Sequence, residues 1–200
     1  MPIIPLPPDG FETAKLAIRR ETAGSVWYRI YHNQFPDPLG FGYGHSRFSD
    51  PTGKAFGLVY MGSSLKVSFH EVIIRDRGDG RIGPLALGEA ELADYRCAEI
   101  EILDDLKLVD LTGDGLYKMG VPSDVIGARD QAIARQWSAA FFAHRDVVDG
   151  VYYPSRFNEE RNIALYSRAI PKLAAKRSPL LLDMGGPLDT VLDELELEID

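Results

Sequence analysis

From Val26 to Tyr31 the chain reads VWYRIY, a run of β-branched and aromatic residues that predicts a strand. Alternation sets Trp27, Arg29 and Tyr31 on one face and Val26, Tyr28 and Ile30 on the other. An Arg between two aromatics on a strand face either reaches for water or is presented to an anion. Phe56 to Met61 (FGLVYM) predicts a second strand, with Phe56, Leu58 and Tyr60 sharing a face. After Gly62 the segment SSLKVSFHEVIIR puts Leu65, Phe69, Val72 and Ile73 at i, i+4, i+7 and i+8, which predicts a helix capped by one of the two serines. Leu65, Val67 and Phe69 also alternate, so a strand stays open there. As a helix, the segment carries Glu71 one turn beyond Val67, beside the buried stripe, and brings its carboxylate toward Arg29.

Between these elements, Pro36 to Gly53 interleaves Pro and Gly with aromatics and predicts a long loop, a feature that compact domains commonly reserve for function. Arg75 to Gly88 is a polar, Gly-rich loop. Ala98–Leu103 and Leu106–Leu111 predict two strands around the turn Asp104-Asp105, and Pro122–Ala128 a short helix. Asp130–Arg145 is the clearest helix, with Ile133, Trp137, Ala140, Phe141 and His144 at helical spacing. Val151–Tyr153, ended by Pro154, and Asn162–Ser167 predict further strands, and the chain from Leu188 onward predicts an acidic helix or strand. Strands and helices without a steady βαβ rhythm favour an α+β fold, mixed small sheets with flanking helices, over a doubly wound sheet.

The 200 residues suffice for one domain with a full core. Four prolines in the first ten residues set off a Pro-rich leader over 1–24, ahead of a domain over 25–182. Of the net charge of -8, seven units come from acids in residues 183–200, which hold no Lys or Arg. This acidic tail reads as a partner-binding segment or as a solvated terminal face. The remainder is nearly neutral and lacks the concentrated basic surface of a protein that holds duplex nucleic acid, so no direct nucleic-acid contact is expected. No apolar stretch approaches the roughly 18 residues of a membrane span, and no secretory signal opens the chain, so the expected address is cytoplasmic with no membrane partner. The lone Cys97 sits in an apolar strand and reads as core.

Motif inspection removes several chemistries. His70-Glu71 opens like a zinc-protease signature, but position 74 is Ile, and the other histidines lack partners at ligand spacing, so no metal is expected. Gly40, Gly42 and Gly44 lack the strand-to-helix context of a dinucleotide fingerprint. What survives is a set of polar residues in apolar surroundings: Arg29, Ser46-Arg47, Tyr60, Glu71, Tyr153-Pro154-Ser155 and Asn162.

In order, WYRIY, GHSRF, LVYMGSS, FHEV and YYPSRFNEERN resemble the RES domain family, named for an Arg, a Glu and a Ser, from about Trp27 to Tyr166. The resemblance implies a fold similar to the ADP-ribosyltransferases and a toxin of a bacterial toxin–antitoxin pair that consumes NAD+ by hydrolysis or phosphorolysis. It implies as partners a cognate helix-turn-helix antitoxin of the Xre type and, for phosphorolysis, inorganic phosphate. Carried over by position, Arg29, Glu71 and Ser155 are the expected catalytic residues, and Arg47 and Tyr60 expected substrate-binding ones; Tyr28, next to Arg29, is expected to bind substrate with them. In that chemistry Glu71 stabilises the cationic sugar as neutral nicotinamide leaves, and Arg29 and Arg47 meet the diphosphate. Tyr60 stacks on nicotinamide or shapes its pocket, and Ser155 positions the ribose or the carboxamide. ADP-ribosyl transfer to a protein, and a partner-binding domain without catalysis, are the alternatives.

Overall fold

The structure of the chain, a computed structural model, describes residues 5–77, 79–80 and 82–200. A 3-10 turn (Phe11–Thr13) precedes β1 (Ile18–Glu21), β2 (Val26–His32) and β3 (Leu58–Gly62). Helix α1 (Leu65–Phe69) continues as a π turn over His70–Ile74, followed by β4 (Leu85–Leu87), α2 (Glu89–Leu92), β5 (Tyr95–Ile102) and β6 (Leu106–Asp110). Then come α3 (Gly115–Met119), α4 (Asp124–Gly127), α5 (Ala132–Ala143), β7 (Gly150–Pro154), β8 (Arg161–Tyr166), β9 (Leu173–Arg177), α6 (Gly186–Glu194) and β10 (Leu197–Ile199).

Eight strands form one mixed sheet in the order β1-β6-β7-β8-β3-β2-β5-β9, while β10 and β4 pair separately. Within the large sheet only β6 and β7 run parallel, and α3, α4 and α5 fill their crossover. This is the expected α+β class. Trp137 and Phe141 of α5 pack on Leu58, Val109, Val151 and Tyr166 of the sheet. A second apolar layer joins Trp27, Tyr31, Val59, Met61 and Ile163. A third gathers Ile30, Phe69, Ile73 and Leu92 with Leu188 and Leu192 of α6. No helix among the described residues is long and apolar enough to cross a membrane.

Three differences from the sequence expectation have physical causes. First, β5 and β6 flank the Asp104-Asp105 turn but do not pair with each other; β5 lies between β2 and β9, and β6 between β1 and β7. Second, β1 (IRRE) and β9 (LAAKR) are edge strands, whose charged, exposed residues hide the alternation that marks a buried strand. Third, the 75–88 loop contains β4, which pairs in parallel with β10. The expected leader and tail regions also contribute to packing. Phe11 is 4% exposed against Trp137, and Lys66 of α1 pairs with Glu194 of α6 at 2.7 Å.

Candidate active site

Strands β2 and β3 are held in register by one pair, Tyr28↔Gly62, although β2 is paired along its whole length with β5. The sheet is therefore open between β2 and β3, and a cleft of about 420 Å³ lies there, within the range of small-molecule sites. Gly62 permits this architecture. A Cβ at that position would stand 2.8 Å from both Ser68 Oγ and Val67 Cγ1, so glycine lets α1 lie directly on the strand end. Ser64 caps α1 by accepting from Val67 N at 3.2 Å, and Ser68 Oγ donates to Tyr28 O at 2.8 Å. The helix thus ties the two strands together below the opening.

The π turn then decides which side chains of residues 69–75 reach the cleft. Phe69 and Ile73 are buried, while Glu71, Val72 and Arg75 line the cleft. Val72, expected in the buried stripe, is 40% exposed, because the wider π turn breaks the 3.6-residue period there. Glu71 Oε1 accepts a hydrogen bond from Asn162 Nδ2 at 3.1 Å, and Asn162 is fixed on β8 opposite Gly62 and Tyr153. Burial pushes the Glu71 carboxyl above its ordinary range, against the opposing pull of Arg75 and the Asn162 hydrogen bond.

Loop residues 36–57 form the opposite wall. Arg47 is only 7% exposed; its Nη1 donates to Val125 O at 3.3 Å, and its Nη2 is buried without a partner among the described residues. A buried guanidinium nitrogen lacking an acceptor is costly, and an anionic ligand would satisfy it. Arg29 also lines the cleft, yet two of its donors are committed to the loop backbone, Nη1 to Pro38 O at 2.6 Å and Nη2 to Gly40 O at 2.8 Å. Its guanidinium braces this wall as well as facing the cavity.

Tyr60 does more than present a ring. Its hydroxyl accepts from Phe48 N at 3.0 Å and shares a hydrogen bond with Ser46 Oγ at 2.8 Å, on either side of Arg47. Burial pushes the phenol up to about 12, so it stays neutral. Tyr60→Phe keeps the ring but orphans the Phe48 amide. It is expected to cost about 1–2 kcal/mol in denaturant unfolding and to lower substrate affinity through Arg47. Unchanged affinity in that variant would return Tyr60 to a ring-only role.

Arg29, Arg47, Tyr60 and Glu71 thus meet at one cleft, and two expected site residues do not. Ser155 is not part of the cleft wall; its Oγ accepts from Phe157 N at 3.2 Å and its own N–H donates to Glu160 O at 2.9 Å. It closes the turn after β7, the usual work of a serine following proline. Tyr28 is also absent from the wall, because strand alternation turns its ring from Arg29 toward the third apolar layer. Burial, and then Glu99, raise its phenol above the ordinary value.

Sequence reasoning left other cleft residues without a role. Arg75 follows Glu71 by four residues, a helical spacing that was legible in the segment. Tyr153 lines the cleft beside Phe48, and burial, then Glu71, raise its phenol well above the ordinary value. Arg156 completes a wall of four arginines around a single acid. No group of three or more His, Cys, Asp or Glu side chains among the described residues is placed to hold a metal.

The RES domain family model matches residues 26–191. The chain belongs to the RES domain family. A curated relative, "Probable toxin y4kH" of Sinorhizobium fredii, is 41% identical over 126 residues, spanning 63% of this chain and 99% of the relative. Among solved structures, a chain of the M. tuberculosis MbcT-MbcA toxin-antitoxin complex superposes with a TM-score of 0.60 at 21% identity, over 88% of this chain and 91% of that one. At that identity the likeness is one of fold. The matched RES region starts with β2 and ends within α6, so it contains every residue of the cleft.

Proposed function

We propose that this RES domain protein is a toxin that destroys NAD+ by breaking the nicotinamide–ribose bond, and that a cognate antitoxin of the helix-turn-helix type holds it in check. The observation that carries the reading is the pairing across one cleft of a half-buried carboxylate, Glu71, with the Nη2 of buried Arg47, unpartnered among the described residues. A pyridine dinucleotide has the matching polarity, a cationic nicotinamide riboside joined to an anionic diphosphate.

Glu71 stands where positive charge would develop on the ribose, and Asn162 fixes its orientation before substrate arrives. As the glycosidic C–N bond breaks, nicotinamide departs neutral with the bonding electron pair and needs no strong acid. An acceptor oxygen then bonds to the anomeric carbon and releases its proton. Arg47 draws the nearer phosphate into register, and the neutral phenol of Tyr153 offers a donor to a sugar or carboxamide oxygen. The toxin reading is supported by the y4kH relative, and the antitoxin by the assembly in which the M. tuberculosis neighbour was solved.

The test is incubation of the purified protein with NAD+, with and without inorganic phosphate, and identification of products by mass. Free nicotinamide with ADP-ribose marks hydrolysis, and nicotinamide with phosphorylated ADP-ribose marks phosphorolysis. Label retained on protein marks ADP-ribosyl transfer. No loss of NAD+ under any of these conditions overturns the reading and leaves a partner-binding domain.

A further inference from the structure

A second cavity of about 530 Å³ adjoins the cleft, and Arg75 and Arg156 line both. Arg75 makes no ion pair or side-chain hydrogen bond among the described residues, and Arg156 has only a 3.3 Å contact from its Nη2 to Ala128 O. Two guanidinium groups with no ion pair among the described residues, of which Arg75 is also drawn toward Glu71, form at the passage between two cavities a place for a phosphate. The other arginine of the second cavity, Arg129, is already paired with Asp79 at 2.7 Å, so the free positive charge is concentrated at the passage.

Beyond the passage the lining changes to groups that suit a nucleoside. Phe157 is 39% exposed, and its ring is stacked at 5.2 Å and 10° on His70, which holds the plane of the ring fixed. A planar base can extend that stack. Gln131 supplies an amide donor and acceptor for a base edge, and the Asp76 carboxylate can accept from sugar hydroxyls. Ser155 gains a purpose in this frame: by capping the turn it sets the positions of Arg156 and Phe157, the next two residues along the chain.

We propose that the second cavity is an adenylate subsite, with Arg75 and Arg156 holding the adenosine-side phosphate and Phe157 stacking on the base. The proposal rests on the dinucleotide reading above and adds where the half remote from the reaction is bound. Such remote contacts are the ones that supply affinity and hold the reacting bond beside Glu71.

The experiment is calorimetric titration of the full-length protein, with no turnover involved, using AMP and nicotinamide mononucleotide as separate probes. Wild type is compared with Arg156→Ala and Phe157→Ala. Both residues are exposed, and unfolding midpoints check that each variant is folded. Each variant is expected to bind AMP about tenfold or more weakly, and Phe157→Ala, which lies outside the cleft wall, to bind nicotinamide mononucleotide within about twofold of wild type. AMP affinity that is absent in wild type, or unchanged in both variants, overturns the subsite. So does an equal loss for both probes in Phe157→Ala, which would make this residue a general support of the fold. AMP binding that depends on Arg156, in a protein that leaves NAD+ intact, upholds the subsite and rejects the proposed reaction, so the two failures are distinguishable.

Discussion

Replacing Glu71 by Gln is expected to lower NAD+ turnover by about 10²–10³-fold and, at the same time, to make the protein harder to unfold. The two effects have one cause. Burial holds the folded-state carboxyl above its ordinary value of 4.5, so folding and ionisation of this group oppose each other. With a raised folded value, the group favours folding most below the unfolded value, and that contribution is lost as pH rises through the folded one. At neutral pH the ionised carboxylate therefore subtracts from stability. Gln keeps the shape and the oxygen that accepts from Asn162 while removing the charge, so a gain of about 0.5–2 kcal/mol is expected in urea unfolding at pH 7. In the proposed reaction the carboxylate is the active form, so wild-type turnover should fall on the acid side at a pH above the usual glutamate range. Full turnover by the Gln variant would remove Glu71 from the chemistry, whatever its stability.

The parts of this site that the sequence disclosed were those with a local signature. Strand alternation placed Arg29 on the face opposite Tyr28, as observed, and the helical spacing after Gly62 placed Glu71 beside a buried stripe. The same alternation sets Tyr28 on the face away from Arg29, against its expected role in binding substrate. The π turn has no period of its own in a stretch of five residues, so the exposure of Val72 was hidden. Ser155 lies outside the cleft wall for a different reason. A serine after proline is written the same way whether its hydroxyl meets a ligand or a backbone amide two residues on, and only the folded chain separates the two. The single-pair junction of β2 and β3, which creates the cleft, is a property of pairing between distant segments and leaves no mark in either strand.

Asp50 should prove a damaging position to truncate outside the cleft walls. It is 4% exposed, and its carboxylate accepts from Thr52 N at 3.1 Å, Thr52 Oγ1 at 2.6 Å, Lys54 N at 2.7 Å and Ala55 N at 2.6 Å. Asp-Pro-Thr-Gly is favourable turn chemistry, and Gly53, at φ 67°, donates its N–H to Asp50 O at 3.1 Å. Asp50→Ala leaves several donors unsatisfied at once, at an expected cost of about 2–4 kcal/mol measured by urea unfolding. Burial alone would raise this carboxyl, but the hydrogen bonds from Thr52, Ala55 and Lys54 prevail and lower it from 3.8 to about 2. A lowered folded value stabilises above the unfolded value and is lost as pH falls through the folded one. Wild type should therefore lose this contribution between about pH 4 and pH 2, and the Ala variant should show a flatter pH dependence there. Because the same loop carries Arg47 between its Tyr60-bound neighbours, the variant should also raise KM for NAD+ more than it lowers kcat. Arg47 would be present but poorly held, whereas Glu71, on the other wall, keeps its own supports. A loss confined to kcat would mean that this loop shapes the transition state directly and does not serve mainly to hold the substrate.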